Sequence, residues 1–243
     1  YNPVLSPDGT KLLFSNSEHS GLRMYDYNLG VTVRISDEAR AGYNPVFSPD
    51  SRSVSYVTQT TDGRGLNMRV ERRYDIAAAT SAAVAPAARR VAPLARRSGN
   101  TAVRTDGATL YITANGSEKA FSPVEAPAYL WASVSPDGSR VMFVAAGKGI
   151  YVTDLNGNII SFAGNYEAPV WYGNDCIAAM NATDDGHQFS SSQIVLVRAD
   201  GSEVQEITRP ESMTMTPAAS IEAGRIVYST IDGYLYQVNV TLK

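Results

Sequence analysis

One nine-residue pattern recurs six times along these 243 residues, and it limits the chain to a repeat architecture. The clearest copies are Ser6-Pro7-Asp8-Gly9, leading to Leu12, Leu13 and Phe14, and Ser135-Pro136-Asp137-Gly138, leading to Val141, Met142 and Phe143. Ser48-Pro49-Asp50-Ser51 before Val54 and Tyr56 is a third copy. Weaker copies begin at Arg104, Tyr172 and Ser220, which puts successive anchors 42, 56, 31, 37 and 48 residues apart. Proline presets the second position of a type I turn, Asp accepts from nearby backbone N–H groups, and Gly tolerates a left-handed exit. Each copy therefore reads as strand, tight turn, strand.

The sixth and eighth positions past the anchor are apolar in all six copies, which turns one strand face toward a core. The position between them is often apolar too, as suits a strand held between two neighbouring sheets. A third strand follows in most units, for example Leu22 to Tyr27, Gly149 to Asp154 and Ile194 to Ala199. A fourth follows at Asn158 to Phe162 and Glu203 to Thr208. Four antiparallel strands in some forty residues, repeated, make a β-propeller blade. The expectation is an all-β, six-bladed propeller of four-stranded blades over residues 1–243, as one domain. Unit six stops after Val240, so the last blade is expected to lack its outer strand, which an upstream segment would supply.

The stretches Asn44-Pro45-Val46-Phe47-Ser48-Pro49-Asp50 and Ser133-Val134-Ser135-Pro136-Asp137-Gly138, with Tyr151 to Asp154 as a Tyr-x-x-Asp strand, resemble the TolB-type propeller repeat. The resemblance spans nearly the whole chain and is strongest in units one, two and four. It implies a non-catalytic protein-interaction module of the bacterial cell envelope. It also implies a periplasmic or otherwise exported location, outer-membrane association included, and an envelope lipoprotein as one kind of partner. A start at Tyr1 without Met fits removal of a signal peptide. The alternative is a propeller that binds or processes carbohydrate or peptide, as a lyase or glycosidase, since the same scaffold carries such activities.

The residues argue against several chemistries. No nucleophile elbow, phosphate loop, dinucleotide fingerprint or His-Glu-x-x-His motif is present. Two histidines, His19 and His187, cannot build the multi-His metal site on which lyases of this shape lean. Neither a catalytic residue nor a metal or other cofactor is expected. The acidic loop Asn181 to His187 lacks the alternating donors of a calcium loop and reads as a solvated turn. The single Cys176 excludes an internal disulfide and reads as a small buried hydrophobe. No apolar run approaches the length that spans a bilayer.

A net charge of −3 carries no global nucleic-acid footprint. One segment stands apart. Residues 64–104 hold nine Arg against Glu71 and Asp75, making them +7 and the remainder −10. Its middle, Ile76 to Arg97, has no aromatic ring to stack on bases, so the segment reads as a solvated connection rather than a nucleic-acid site.

The docking candidates lie where the chain leads into the first strand of each blade, beside the loops joining second to third strands. They are Tyr43 and Asn44, Tyr129 and Trp131, Tyr166 and Glu167, and His187 and Phe189 in the long loop of unit five. Tyr and Trp offer large contact area at low entropy cost. The same rings can instead pack between blades as core.

Overall fold

The computed structural model describes residues 2–84, 86–89, 94–184 and 189–242. Among them are six antiparallel sheets, each made of consecutive strands, and one short 3-10 turn at Pro210–Ser212. Sheet one holds β1 (Val4–Leu5), β2 (Lys11–Phe14), β3 (Leu22–Asp26) and β4 (Val31–Ser36). Sheet two holds β5 (Val46–Phe47), β6 (Ser53–Thr61), β7 (Asn67–Asp75) and β8 (Thr80–Ala83). Sheet three holds β9 (Arg96–Ser98), β10 (Thr101–Asp106), β11 (Thr109–Ala114) and β12 (Ser117–Phe121). Sheet four holds β13 (Tyr129–Val134), β14 (Arg140–Ala145), β15 (Gly149–Asp154) and β16 (Ile159–Gly164). Sheet five holds β17 (Glu167–Tyr172), β18 (Cys176–Asp184), β19 (Phe189–Arg198) and β20 (Val204–Glu206). Sheet six has three strands, β21 (Thr214–Ser220), β22 (Arg225–Thr230) and β23 (Leu235–Asn239). These are the blades of a six-bladed β-propeller whose last blade is one strand short.

The chain divides into two compact units, Tyr1–Leu94 with Gly233–Leu235, and Ala95–Asp232 with Tyr236–Lys243. In the first, Leu13, Leu22 and Met24 of sheet one bury against Val54, Tyr56 and Tyr74 of sheet two. In the second, three apolar clusters join sheets three and four, four and five, and five and six. The sandwiched position anticipated between flanking apolar residues is realised at Leu13, Met142 and Val227, each 0–1% exposed. Cys176 is buried within the last of these clusters, and burial pushes its thiol pKa up.

The repeated turn works through its side chains. In the strong copies the anchor serine donates to the Asp carboxylate at 2.6 Å (Ser6 to Asp8, Ser48 to Asp50, Ser135 to Asp137). The same hydroxyl accepts from the N–H five residues on, at 2.9–3.0 Å (Lys11, Ser53, Arg140). The Asp carboxylate accepts from the N–H two residues on, in Thr10, Arg52 and Ser139. These bonds satisfy the backbone donors on the exit side of each bend. Neighbouring turns also join: Asp8 N–H donates to Ser51 Oγ at 3.2 Å, and Asp137 N–H to Asn174 Oδ1 at 3.0 Å.

The third repeat departs from expectation. The Arg104 to Gly107 stretch joins β10 to β11, the second and third strands of its sheet, because β9 precedes them. The turn equivalent to the others lies between β9 and β10. There Ser98 donates to the Pro136 carbonyl, and Thr101 donates to the Gly138 carbonyl at 3.0 Å. An Asp-Gly pair closes either hairpin of a blade equally well, so the motif alone misplaced this anchor by one strand.

Burial works to raise the Asp137 pKa, but hydrogen bonds from Ser135 and Ser139 outweigh it and hold the carboxyl below its ordinary 3.8. A lowered folded pKa stabilises the fold above the ordinary value, and that stabilisation is lost as pH falls through the folded value. Ser135→Ala should cost about 1–2 kcal/mol at neutral pH. It should also raise the Asp137 pKa, and the gap from the parent should narrow in acid below the ordinary value. Urea unfolding across pH, with carboxyl NMR titration, checks both.

Candidate functional site

Counting back from each anchor sorts the docking candidates. Four residues before it, the backbone is left-handed in five sheets: Asn2 (φ 48°), Asn44 (50°), Trp131 (50°), Ala168 (46°) and Thr216 (39°). None is glycine. In β13, β17 and β21 the pairing register slips across this residue and the next, which marks a β-bulge; in β1 and β5 the strand starts two residues after it. The residue after it is a buried proline in four sheets (Pro3, Pro45, Pro169, Pro217) and Ala132 in the fifth. Proline has no N–H, so the unpaired ladder position buries no orphan donor. The bulge turns the lead-in chain and decides what points outward.

The outcome is consistent. Five before the anchor, Tyr43, Leu130 and Glu167 are exposed and Met215 is half-buried. Six before it, Gly42, Tyr129 and Thr214 are buried and Tyr166 is half-buried. Tyr129 is therefore a core ring, 2% exposed, and no partner can reach it. Its hydroxyl is tied to the Val124 backbone and its ring packs 4.7 Å from Phe143. Tyr166 lies against the cluster between sheets four and five, and its ring fills the space where a Cβ on Gly164 would sit. Phe189 is half-buried at the start of β19, and His187 lies outside the described residues.

In the larger unit the exposed pair is Leu130 (41%) and Trp131 (47%). Leu130 was not singled out in the sequence, although its count from the anchor matches that of Tyr43. An indole held in a left-handed conformation is a genuine outlier, and such strain of about 1–3 kcal/mol persists only where the surroundings impose it.

In the smaller unit Tyr43 stands in a cluster built by two loops. The loop between β2 and β3 meets the connection between β4 and β5, where Gly42 N–H donates to the His19 carbonyl at 2.8 Å. A Cβ on Gly42 would lie 2.2 Å from the Ser15 Cβ, so only glycine lets the two backbones approach. The His19 ring meets the Tyr43 ring edge-on at 5.5 Å, and the Arg40 guanidinium lies 5.5 Å from the same ring's centroid. Tyr43 and Asn44 are both exposed. His19 was legible only as a loop residue, and Arg40 carried no sequence signal at all.

Sheet order, turn chemistry and bulges together are the features of a particular propeller type. The fold is that of a TolB-like β-propeller. TolB from Acinetobacter baumannii superposes with a TM-score of 0.58 at 19% identity, covering 83% of this chain and 52% of that one. The tricorn protease gives 0.60 at 18%, covering 98% and 25%. An oligogalacturonate lyase in complex with manganese gives 0.59 at 12%, covering 99% and 77%. The chain thus spans about half the length of that TolB and a quarter of the protease, and identities this low show the fold alone. No protein-family model matches the sequence, and no curated protein does. Among the described residues of this TolB-like propeller, no helix is long and apolar enough to cross a membrane.

Two substitutions probe this geometry. Trp131→Gly should be about 0.5–1 kcal/mol more stable than Trp131→Ala, reversing the usual order for a strand, because only glycine relieves the left-handed backbone. Thermal or urea unfolding of the pair decides it. Gly42→Ala should lower stability by about 1–3 kcal/mol and shift the His19 ring signals in NMR, since Ser15 and the loop must move apart.

Proposed function

We propose that this TolB-like propeller is a non-catalytic protein-interaction module of the bacterial cell envelope, working in the periplasm or otherwise outside the cytoplasm. A protein docks on the segments leading into the first strands. The observation that carries the reading is Leu130-Trp131, a large apolar pair held outward by a strained bulge. Isolated exposed apolar residues are ordinary, but an indole at a left-handed position that Asn, Ala or Thr fills in other sheets is not. Tryptophan is the residue most enriched at binding hot spots, and a rigid mount lowers the entropy cost of docking. Glu167, five before the next anchor, is a polar residue exposed at the equivalent position in the same unit. An envelope lipoprotein is the partner class that the TolB likeness favours.

The second reading, a carbohydrate- or peptide-processing propeller, draws support from the lyase and protease with the same fold. Against it stand two histidines in 243 residues, too few for a multi-His metal centre.

The test is capture from an envelope extract by the full chain and by a Leu130→Ala/Trp131→Ala variant. The double variant should lose about tenfold or more of the captured protein while its circular dichroism stays unchanged. Equal capture by both would sink the docking assignment. Cleavage of an oligogalacturonide or peptide by the parent would install the second reading.

A further inference from the structure

We propose that Arg40, His19 and Tyr43 form a carboxylate-binding subsite. The proposal rests on the reading of the lead-in segments as docking surface, and it names the chemistry that a partner must bring to the smaller unit.

The two acids just before Arg40 are already paired. Asp37 takes both Arg23, at 2.8 Å, and Arg34, at 2.9 Å. Glu38 takes Arg72 at 2.7 Å and a hydrogen bond from Ser36. Arg40 follows two residues later, exposed, and no ion pair joins it to a carboxylate among the described residues. Glu18, the acid nearest His19 in sequence, is exposed and likewise makes no described ion pair with Arg40. The Arg40 guanidinium rests over the Tyr43 ring, which restricts its orientation, and among the described residues no hydrogen bond occupies its planar fork of donors.

The imidazole beside it is set to donate as well. Asn2 Nδ2 lies 3.1 Å from His19 Nδ1, and an amide nitrogen can only donate. Nδ1 therefore accepts, and the neutral ring carries its proton on Nε2. Burial foremost, then neighbouring positive charge that includes Arg40, holds the His19 pKa below its ordinary value, so the ring is neutral at pH 7. A guanidinium fork, an Nε2–H and a phenol make a set of donors with one positive charge and, among the described residues, no ion-paired carboxylate. A carboxylate, planar and bidentate, complements that set.

The backbone supports the same conclusion. Asn2, His19, Arg40 and Asn44 all sit at positive φ (48°, 55°, 64° and 50°) around one exposed tyrosine. Such residues gather at binding sites, where the strain preorganises side chains. The loop contact through Gly42 keeps the two donor-bearing loops together.

The carboxylate can belong to an acidic side chain or to a chain terminus, and the experiment separates them. With only two histidines, the His19 ring proton is resolved in a simple NMR spectrum and assigned by His19→Gln. The full chain is titrated with sodium acetate against sodium chloride at matched ionic strength. It is then titrated with acetyl-Gly-Gly-Glu-Gly-Gly-amide, its Gln counterpart, and acetyl-Gly-Gly-Ala-Gly-Gly carrying a free terminal carboxylate. Acetate should shift the His19 signal saturably and chloride should not. Arg40→Gln should weaken that response about fivefold or more, with Arg40→Lys in between because it keeps the charge and loses the fork.

Tighter binding of the Glu peptide than the Gln peptide assigns a side chain; tighter binding of the free terminus assigns a chain end. A His19 response equal in acetate and chloride, or unchanged in Arg40→Gln, overturns the subsite. Should Arg40→Gln not fold, the same comparison with Arg40→Lys decides. Loss of the subsite with capture still dependent on Leu130 and Trp131 leaves the docking reading standing, whereas failure of both removes it.

Discussion

A serine hydroxyl that donates to an aspartate and accepts from a backbone N–H five residues on sets the register of this protein. In the strong repeats it closes the turn between the first and second strands and satisfies the N–H that opens the second strand. Once that turn is set, every upstream position in the first strand has a defined direction. The bulge four residues before the anchor, and the exposed residue five before it, follow from the same count. Turn chemistry at one end of the strand therefore dictates what is presented at the other.

Strain enters at the presenting end. A non-glycine residue in left-handed backbone costs energy that an ordinary strand would avoid. The cost is offset by what flanks it: buried proline at the unpaired position, and apolar clusters that clamp the sheets on either side. Asn2 and Asn44 tolerate this conformation better than most side chains, whereas Trp131, Ala168 and Thr216 do not. Leu130-Trp131 in the larger unit and the His19–Arg40–Tyr43 cluster in the smaller unit both stand at the same left-handed position four before an anchor, in two chemistries, one apolar and one charged.

Much of the architecture was legible in sequence because it is periodic. Alternating apolar positions after each anchor gave the second strands, and they are buried as expected in Val54, Val141 and Ile226. The third repeat was misread because Arg104 to Gly107 has turn chemistry that suits any hairpin, and β9 carries no apolar signature to announce it. Tyr129 and Tyr166 go with Tyr43 by residue type and by a place at the lead-in to a first strand. Their count from the anchor differs by one, and in a strand one residue reverses the facing direction. That count could have been made from the sequence; the burial it implies could not.

By itself, the sequence determined the class of fold, the turn positions in the strong repeats, the buried thiol at Cys176 and the shortage of histidines that weighs against a metal centre. These depend on local rules: turn geometry, alternation and composition. Tertiary structure decided which aromatic rings face solvent, and it brought His19 beside Tyr43 across 24 residues of chain with Arg40 over the same ring. Such meetings depend on how two loops pack, here through a contact that only Gly42 permits. No periodicity encodes them.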